Sequence, residues 1–409
     1  MRRIIVLSSW AALITAGPQI ASAATYYVDA SQTATNPTGT VSFSNAFKFL
    51  EEAIQAAAAN SDPADTILVS QGVYHPGDTT TTNNTNRAVS FVLLPQMVIK
   101  GGYRGIAGLP NNANDRIFSL YETKLSGDLS DNDLPTAGLN QTNRAENSLV
   151  VVQGGTGSEP VDEQAELEGL TIRDGNNATS GGGGGYGSGV FVPAGSNPTI
   201  THCIIKRNRA RDNFIGGAGV YVETGDITKT VTIEDTVIEE NEARTGAGLM
   251  AVSAVQLRLN RCTIRDNEIV NPPQFDAGGG GFQLVDGVVA RLVDCTISGN
   301  IGHAESGTFA IHGAGGLVRG GSSLLMKHSR VEGNRIESSE HSLGYGGGLA
   351  IGFSDRGDIV DCVVTGNVVE GKTDSDGAGV WIDTQATGVA ASRLINCTIN
   401  NNVAHPLTT

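Results

Sequence analysis

The segment Cys262-Thr-Ile-Arg-Asp-Asn267 returns as Cys295-Thr-Ile-Ser-Gly-Asn300, as Cys362-Val-Val-Thr-Gly-Asn367 and as Cys397-Thr-Ile-Asn-Asn-Asn402. The same six-residue word, with its middle letters varied and its first letter Cys, Thr or Ser, occupies 203–208, 236–241 and 329–334. Successive closing asparagines (Asn208, Asn241, Asn267, Asn300, Asn334, Asn367 and Asn402) are 33, 26, 33, 34, 33 and 35 residues apart. A period of this size marks a solenoid, whose repeats bury their apolar faces against one another.

A second word keeps the same period. Gly189, Gly219, Gly248, Gly281, Gly316, Gly348 and Gly379 each precede an apolar residue, 18 to 23 residues before a closing asparagine. Within the unit, Ile200, Ile233, Leu259, Leu292, Met326, Ile359 and Leu394 stand three places before the first letter. Ile205, Ile238, Ile264, Ile297, Val331, Val364 and Ile399 stand two places after it. These are inward positions of short strands, and their change of parity requires a tight turn between them. Together with the glycine-led strand, the pattern predicts an all-β parallel β-helix with three short strands per coil. At its corners, asparagine tolerates left-handed geometry, and stacked amides can bond from coil to coil.

Composition agrees with one repetitive body. Glycine supplies 54 of 409 residues, aromatics 5% and apolar residues 39%, enough for a core. The 13 prolines and the lack of a three-residue period exclude collagen. With 27 basic and 42 acidic residues, the net charge of −15 disfavours a nucleic-acid partner. Beyond the N-terminus, no apolar run is long enough for a spanning helix, so an integral membrane protein is not expected.

At the N-terminus, Arg2 and Arg3 precede an apolar stretch that ends in Ala21-Ser22-Ala23, the pattern of a signal peptide cleaved before Ala24. Export follows, to the periplasm, the cell surface or the extracellular medium. Phe47, Leu50, Ile54 and Ala57 share one helical face, with Ser44 as the expected N-cap and an end near Asn60. Such a helix suits the open end of a β-helix, where it covers apolar surface and unpaired backbone. The chain divides into a signal peptide (1–23), an N-terminal strand and capping helix (24–64), the β-helix (65–402) and a short tail (403–409).

These coils resemble the right-handed parallel β-helix superfamily that includes pectate lyases and many surface proteins. Gly-Gly-Ala at 216–218 and the hydrophobic-x-x-Asn corners resemble the polymorphic outer-membrane-protein repeat, although Ile264 and Val364 stand where that family usually has Phe. The segments Tyr26–Ala30 and Asp65–Pro76 are similar to the N-terminal coil of secreted pectate-lyase-like proteins. Val380-Trp381-Ile382-Asp383 resembles a pectate-lyase word that ends in His, but Thr384 stands at that place. The resemblance implies fold more strongly than activity, because repeat words are scaffold.

For function, the residues two places past each repeat glycine are Phe191, Tyr221, Met250, Gln283, Val318, Ala350 and Trp381. Their neighbours point inward, so this row is expected to face outward, and Phe191, Tyr221, Met250 and Trp381 are the expected carbohydrate-binding residues. No carboxylate stands in the row, and no catalytic residue is assigned, because glycosidic cleavage needs acid and base groups gathered at one place. Glu305, His312, Glu340, His341, Asp374 and Asp376 fall in the variable loops, where specificity is usually carried. No cofactor is expected; calcium is the one metal left open, on Asp235, Asp294 and Asp361 at the corners. The five cysteines share one inward slot with Thr236 and Ser329 and are expected as buried free thiols, since in-register stacking suits a disulfide poorly. The expected function is an exported binding and structural protein directed at a polysaccharide or cell-surface glycan. The alternatives are a polysaccharide lyase or glycoside hydrolase, and an adhesin or passenger fragment.

Overall fold

The computed structural model describes residues 23–406 apart from 35–36, 61–63, 108–111, 135–137, 140–141, 178–186, 212–215, 272–276, 305–309, 339–342, 353–354, 372–374 and 384–390. The signal peptide save its last residue, the run Gly181–Gly185, and Glu305, Glu340, His341 and Asp374 lie outside the described residues.

A single coil shows the architecture. The chain runs through Leu249–Val252, Gln256–Asn260, Thr263–Arg265, Glu268–Asn271 and Ala277–Gly278, then starts the next coil at Phe282. Each strand pairs in parallel with its counterpart one period on: Leu249 with Phe282, Leu259 with Leu292, Ile264 with Ile297, Ile269 with Gly302 and Ala277 with Ile311. Among the described residues, repetition gives parallel sheets of 11, 10, 9 and 8 strands along the solenoid and a short one of 4. The molecule is a parallel β-helix, with the sequence period as its register.

The three strands expected per coil become four, with a fifth in the later coils. The added strand follows each closing asparagine, as in Arg209–Ala210, Glu242–Ala243 and Glu268–Asn271. Ala210, Ala243 and Ile269 are buried, one inward residue per strand. With two to four residues per strand, the run is too short for alternation to reveal.

The corners also differ from expectation in one respect. Left-handed backbone falls on the residue before each closing asparagine, as at Arg207 (φ 57°), Glu240 (55°) and Asp266 (53°), rather than on the asparagine itself. The residue before the first letter of the word adopts it too, at Asp235 (47°), Asp294 (54°) and Asp361 (54°). That is the tight turn demanded by the change of parity.

The asparagines form the expected ladder. From Asn208 to Asn367, each Nδ2 and each backbone N–H donates to Oδ1 of the asparagine one coil on, as from Asn267 to Asn300 at 3.0 and 3.1 Å. Each Nδ2 also donates to a backbone carbonyl one coil back, as Asn300 does to Ile264 at 3.0 Å. The repeat glycines face this ladder from across the coil. A Cβ added to Gly248 would lie 2.4 Å from the Gly281 carbonyl and 2.9 Å from Asn267 Nδ2. This explains the near-constant offset between the two words: glycine is required where the backbone passes the stacked amides.

The interior is filled by the aliphatic inward rows and by four buried free cysteines, Cys203, Cys262, Cys295 and Cys362; Cys397 is half-buried. At the N-terminal end, helix Leu50–Ala59 buries Leu50, Ala53, Ile54 and Ala57. Ser44 does not cap it. Ser44 lies in a separate 3-10 turn, Phe43–Asn45, Phe49 occupies the N-cap position, and Glu51 and Glu52 supply the favourable first-turn charge. The β-structure also begins before residue 65 and ends after 402. Thr25–Val28 pairs with Thr66–Val69, and Val403–Pro406, expected as tail, pairs with Val368–Gly371. Among the described residues no helix is long and apolar enough to cross a membrane.

Candidate functional site

The expected outward row exists as a column in the glycine-led sheet: Phe191, Tyr221, Met250, Gln283, Leu317, Ala350 and Trp381 stand in mutual register. Val318 is displaced from it. In that coil Gly315, not Gly316, faces the ladder, since its Cβ would meet the Gly348 carbonyl at 2.4 Å. Gly316 then opens the strand opposite Phe282, whose ring fills the space a Cβ would need. The frame shifts by one, Leu317 takes the row position and Val318 enters the core at 1% exposure.

The middle of the row is covered. Tyr221, Met250, Gln283 and Ala350 are buried, while Phe191 and Trp381 are half-buried. The cover is the chain's own entry turn. Gly217, Gly246, Gly279, Gly313, Gly346 and Gly377, each two places before the ladder-facing glycine, have φ between 54° and 70° and cross this face. A Cβ on Gly246 would come within 2.8 Å of Met250 Cβ. Thr245 Oγ1 bonds to both Gly278 O and Gln283 Oε1 on the covered face. Beneath lies a separate apolar cluster of Tyr221, Met250, Val252 and Val285, with Phe191 packed against it. Two of the four expected binding residues, Tyr221 and Met250, therefore build the wall, and Phe191 and Trp381 stand at its accessible ends.

At the Trp381 end the structure assembles an aromatic group. His312 and Tyr345 are in register in the short sheet and stack with centroids 5.3 Å apart at 23°. Trp381 reaches both from the neighbouring sheet, 5.1 Å from Tyr345 and 5.7 Å from His312. It has room because Ala350, its partner one coil back, is small. All three rings are half-buried, and exposed Asp376 continues the His312–Tyr345 row. The sequence reading placed His312 and Asp376 in loops and passed over Tyr345, because the two-residue strands of this sheet carry no alternation. Stacked rings on a rigid sheet present flat apolar faces with polar edges, a surface suited to the face of a sugar ring.

The charges of the corner row pair with one another. Along the corner before the word, Asp235, Asp294 and Asp361 are separated by Arg261 and His328. Arg261 Nε lies 2.7 Å from Asp235, and His328 lies 3.8 and 3.6 Å from the other two. The Arg261 guanidinium holds the Asp235 carboxyl below its ordinary range. Each aspartate thus faces a basic side chain rather than another carboxylate. Among the described residues no group of three or more His, Cys, Asp or Glu is placed to hold a metal ion.

A buried ionic cluster escaped the sequence reading. Arg144, fully buried, bonds to Asp133 at 2.6 Å, Asp174 at 3.2 Å and the Arg207 carbonyl at 2.8 Å. It pins the polar segment after Ser130 against two coils. Partners 11, 30 and 63 positions away leave no local pattern to read. Burial raises the Asp133 carboxyl above its usual range, against the opposing effect of Arg144.

Comparison with known proteins follows the fold. Residues 251–408 match the family model described as a right handed beta helix region. A crystal structure of a pectate lyase, Pel9A, aligns over 93% of this chain and 78% of its own, at 13% identity and a TM-score of 0.38. Among curated proteins none matches the chain.

Proposed function

We propose that this right-handed parallel β-helix is an exported binding and structural protein of the cell surface, periplasm or extracellular medium, directed at carbohydrate. The carrying observation is the His312–Tyr345–Trp381 group, three half-buried rings 5.1 to 5.7 Å apart on two neighbouring sheets. Tyr345 and Trp381 present ring faces to the sugar, His312 supports the stack from behind, and Asp376 offers an acceptor for sugar hydroxyls. Phe191 marks a second accessible position at the other end of the covered row. The repeat frame fixes these rings before any ligand arrives, so binding orders few side chains. The protein holds its glycan without cleaving it, as a rigid rod that presents ring faces.

A glycan array read with the parent protein and the Trp381→Ala variant tests the reading. The expected result is retention of a subset of polysaccharides by the parent, weakened roughly tenfold in the variant, as befits the loss of one stacking ring. Equal retention by both proteins, or none by the parent, would refute the assignment.

A further inference from the structure

One buried carboxylate stands without a basic side chain. Asp65 is 1% exposed, and among the described residues its oxygens accept from Asn60 and Ala24. Asn60 Nδ2 donates to both oxygens, at 2.9 and 3.1 Å, and the backbone N–H of Ala24 donates to Oδ1 at 2.7 Å. An ionised carboxylate taken out of water is costly unless an opposite charge compensates it. Tyr26 feels that charge: burial first, and then Asp65, raise its hydroxyl above the ordinary range.

Three elements converge on this carboxylate. Asp65 heads the strand Thr66–Ser70, and its carbonyl accepts from the Val98 N–H at 2.9 Å. Asn60 closes the capping helix, where its N–H donates to the Ala57 carbonyl. Ala24 leads into the strand Thr25–Val28, and its carbonyl accepts from the Thr66 N–H at 2.9 Å. The Ala24 nitrogen is therefore fixed against Asp65, while Ala23 before it is exposed. Ala21-Ser22-Ala23 puts the expected cleavage at that same nitrogen. The cleavage word and the buried carboxylate meet on one atom.

We infer that hydrolysis of the Ala23–Ala24 bond creates the counter-ion of Asp65: the freed α-ammonium of Ala24 binds the carboxylate and latches the first strand to the capping helix. This rests on the export reading for the cleavage and on Asp65 for the seat. An endopeptidase of the signal-peptidase class adds water across the bond. The new carboxylate departs on Ala23, and the released amine takes up the proton, since α-amino groups are protonated near neutral pH. A neutral amide donor becomes a cationic one, and the 2.7 Å contact becomes a charge-assisted bond. The processed chain then holds its first strand more firmly than the precursor does.

The test compares two forms released from fusions, one starting at Ala24 and one at Ser22, each with and without Asp65→Asn. In the Ser22 form the Ala24 nitrogen stays an amide. Near neutral pH, the α-amine of the Ala24 form should react with an acylating reagent roughly tenfold more slowly than that of the Ser22 form. Hydrogen exchange of Thr25–Val28 should also slow roughly tenfold, as befits a charge-assisted bond in place of a neutral one. Asp65→Asn should abolish both differences. Equal rates in the two parent forms overturn the latch, and so do differences that survive Asp65→Asn; should that variant not fold, hydrogen exchange of the parent pair decides. N-terminal sequencing of the full chain expressed in an exporting bacterium separates the two readings. An uncleaved chain overturns export and the latch together, whereas a start at Ala24 with equal rates overturns the latch alone.

Discussion

Each corner asparagine satisfies several backbone and amide groups with one short side chain, and this makes the residue costly to replace. Oδ1 of Asn300 accepts from the backbone and the amide of Asn267, while its Nδ2 donates to Asn334 Oδ1 at 2.8 Å and to the Ile264 carbonyl. Asn300 is fully buried, so water cannot replace these bonds. Asn300→Ala should lower stability by about 1–3 kcal/mol. Asn402 makes the equivalent bonds to Asn367 and Val364 but is only half-buried, and its replacement should cost less. Denaturant unfolding of the two variants checks this, and equal losses would show that the amides do not act as a buried ladder. The ladder was legible because seven asparagines recur at one period. The glycines facing it were legible as a word but not in role, since close backbone approach leaves no trace in hydrophobic pattern.

At the scale of the element, short strands are read through their neighbours. The two rows flanking the Cys, Thr or Ser slot are buried in the first six coils because they combine a fixed offset with strict apolar identity, whereas Leu394 and Ile399 in the last coil are exposed. The glycine-led strand is correct in six coils and shifted by one in the seventh, where Gly315 and Gly316 follow one another and only the Phe282 ring decides which faces the ladder. The strand after each asparagine and the short sheet carry too few residues to announce themselves. Cysteine chemistry belongs here, since each thiol depends on the strands above and below it. Burial pushes the Cys203 thiol up to about 12, and the Cys262 thiol, hydrogen-bonded to Cys295, is also raised. A thiol reagent near neutral pH should therefore label Cys397 alone in the native protein and all five cysteines after denaturation. Native labelling of Cys262 or Cys362, or fewer than five thiols in the denatured, unreduced protein, would contradict the stacking.

Over the whole molecule, the solenoid divides labour along its length and around its girth. The helix Leu50–Ala59 covers the first coils, and the buried Arg144 cluster fastens an irregular polar segment to the shaft. The final described coil leaves Leu394, Ile395 and Ile399 between 42% and 45% exposed. One side of the shaft carries the aromatic group. The fold was legible from the period alone. The site was half legible: Trp381 was found by its place in the row, whereas its partners were not, since two-residue strands and a small Ala350 determine which rings meet. This rod is proposed to bind carbohydrate without cutting it. The most direct test incubates the protein with each polysaccharide it retains, with and without calcium, and measures polymer length by size-exclusion chromatography. The length distribution should stay unchanged and the polymer should be fully recovered from the complex; progressive shortening with release of unsaturated or reducing ends would show cleavage instead.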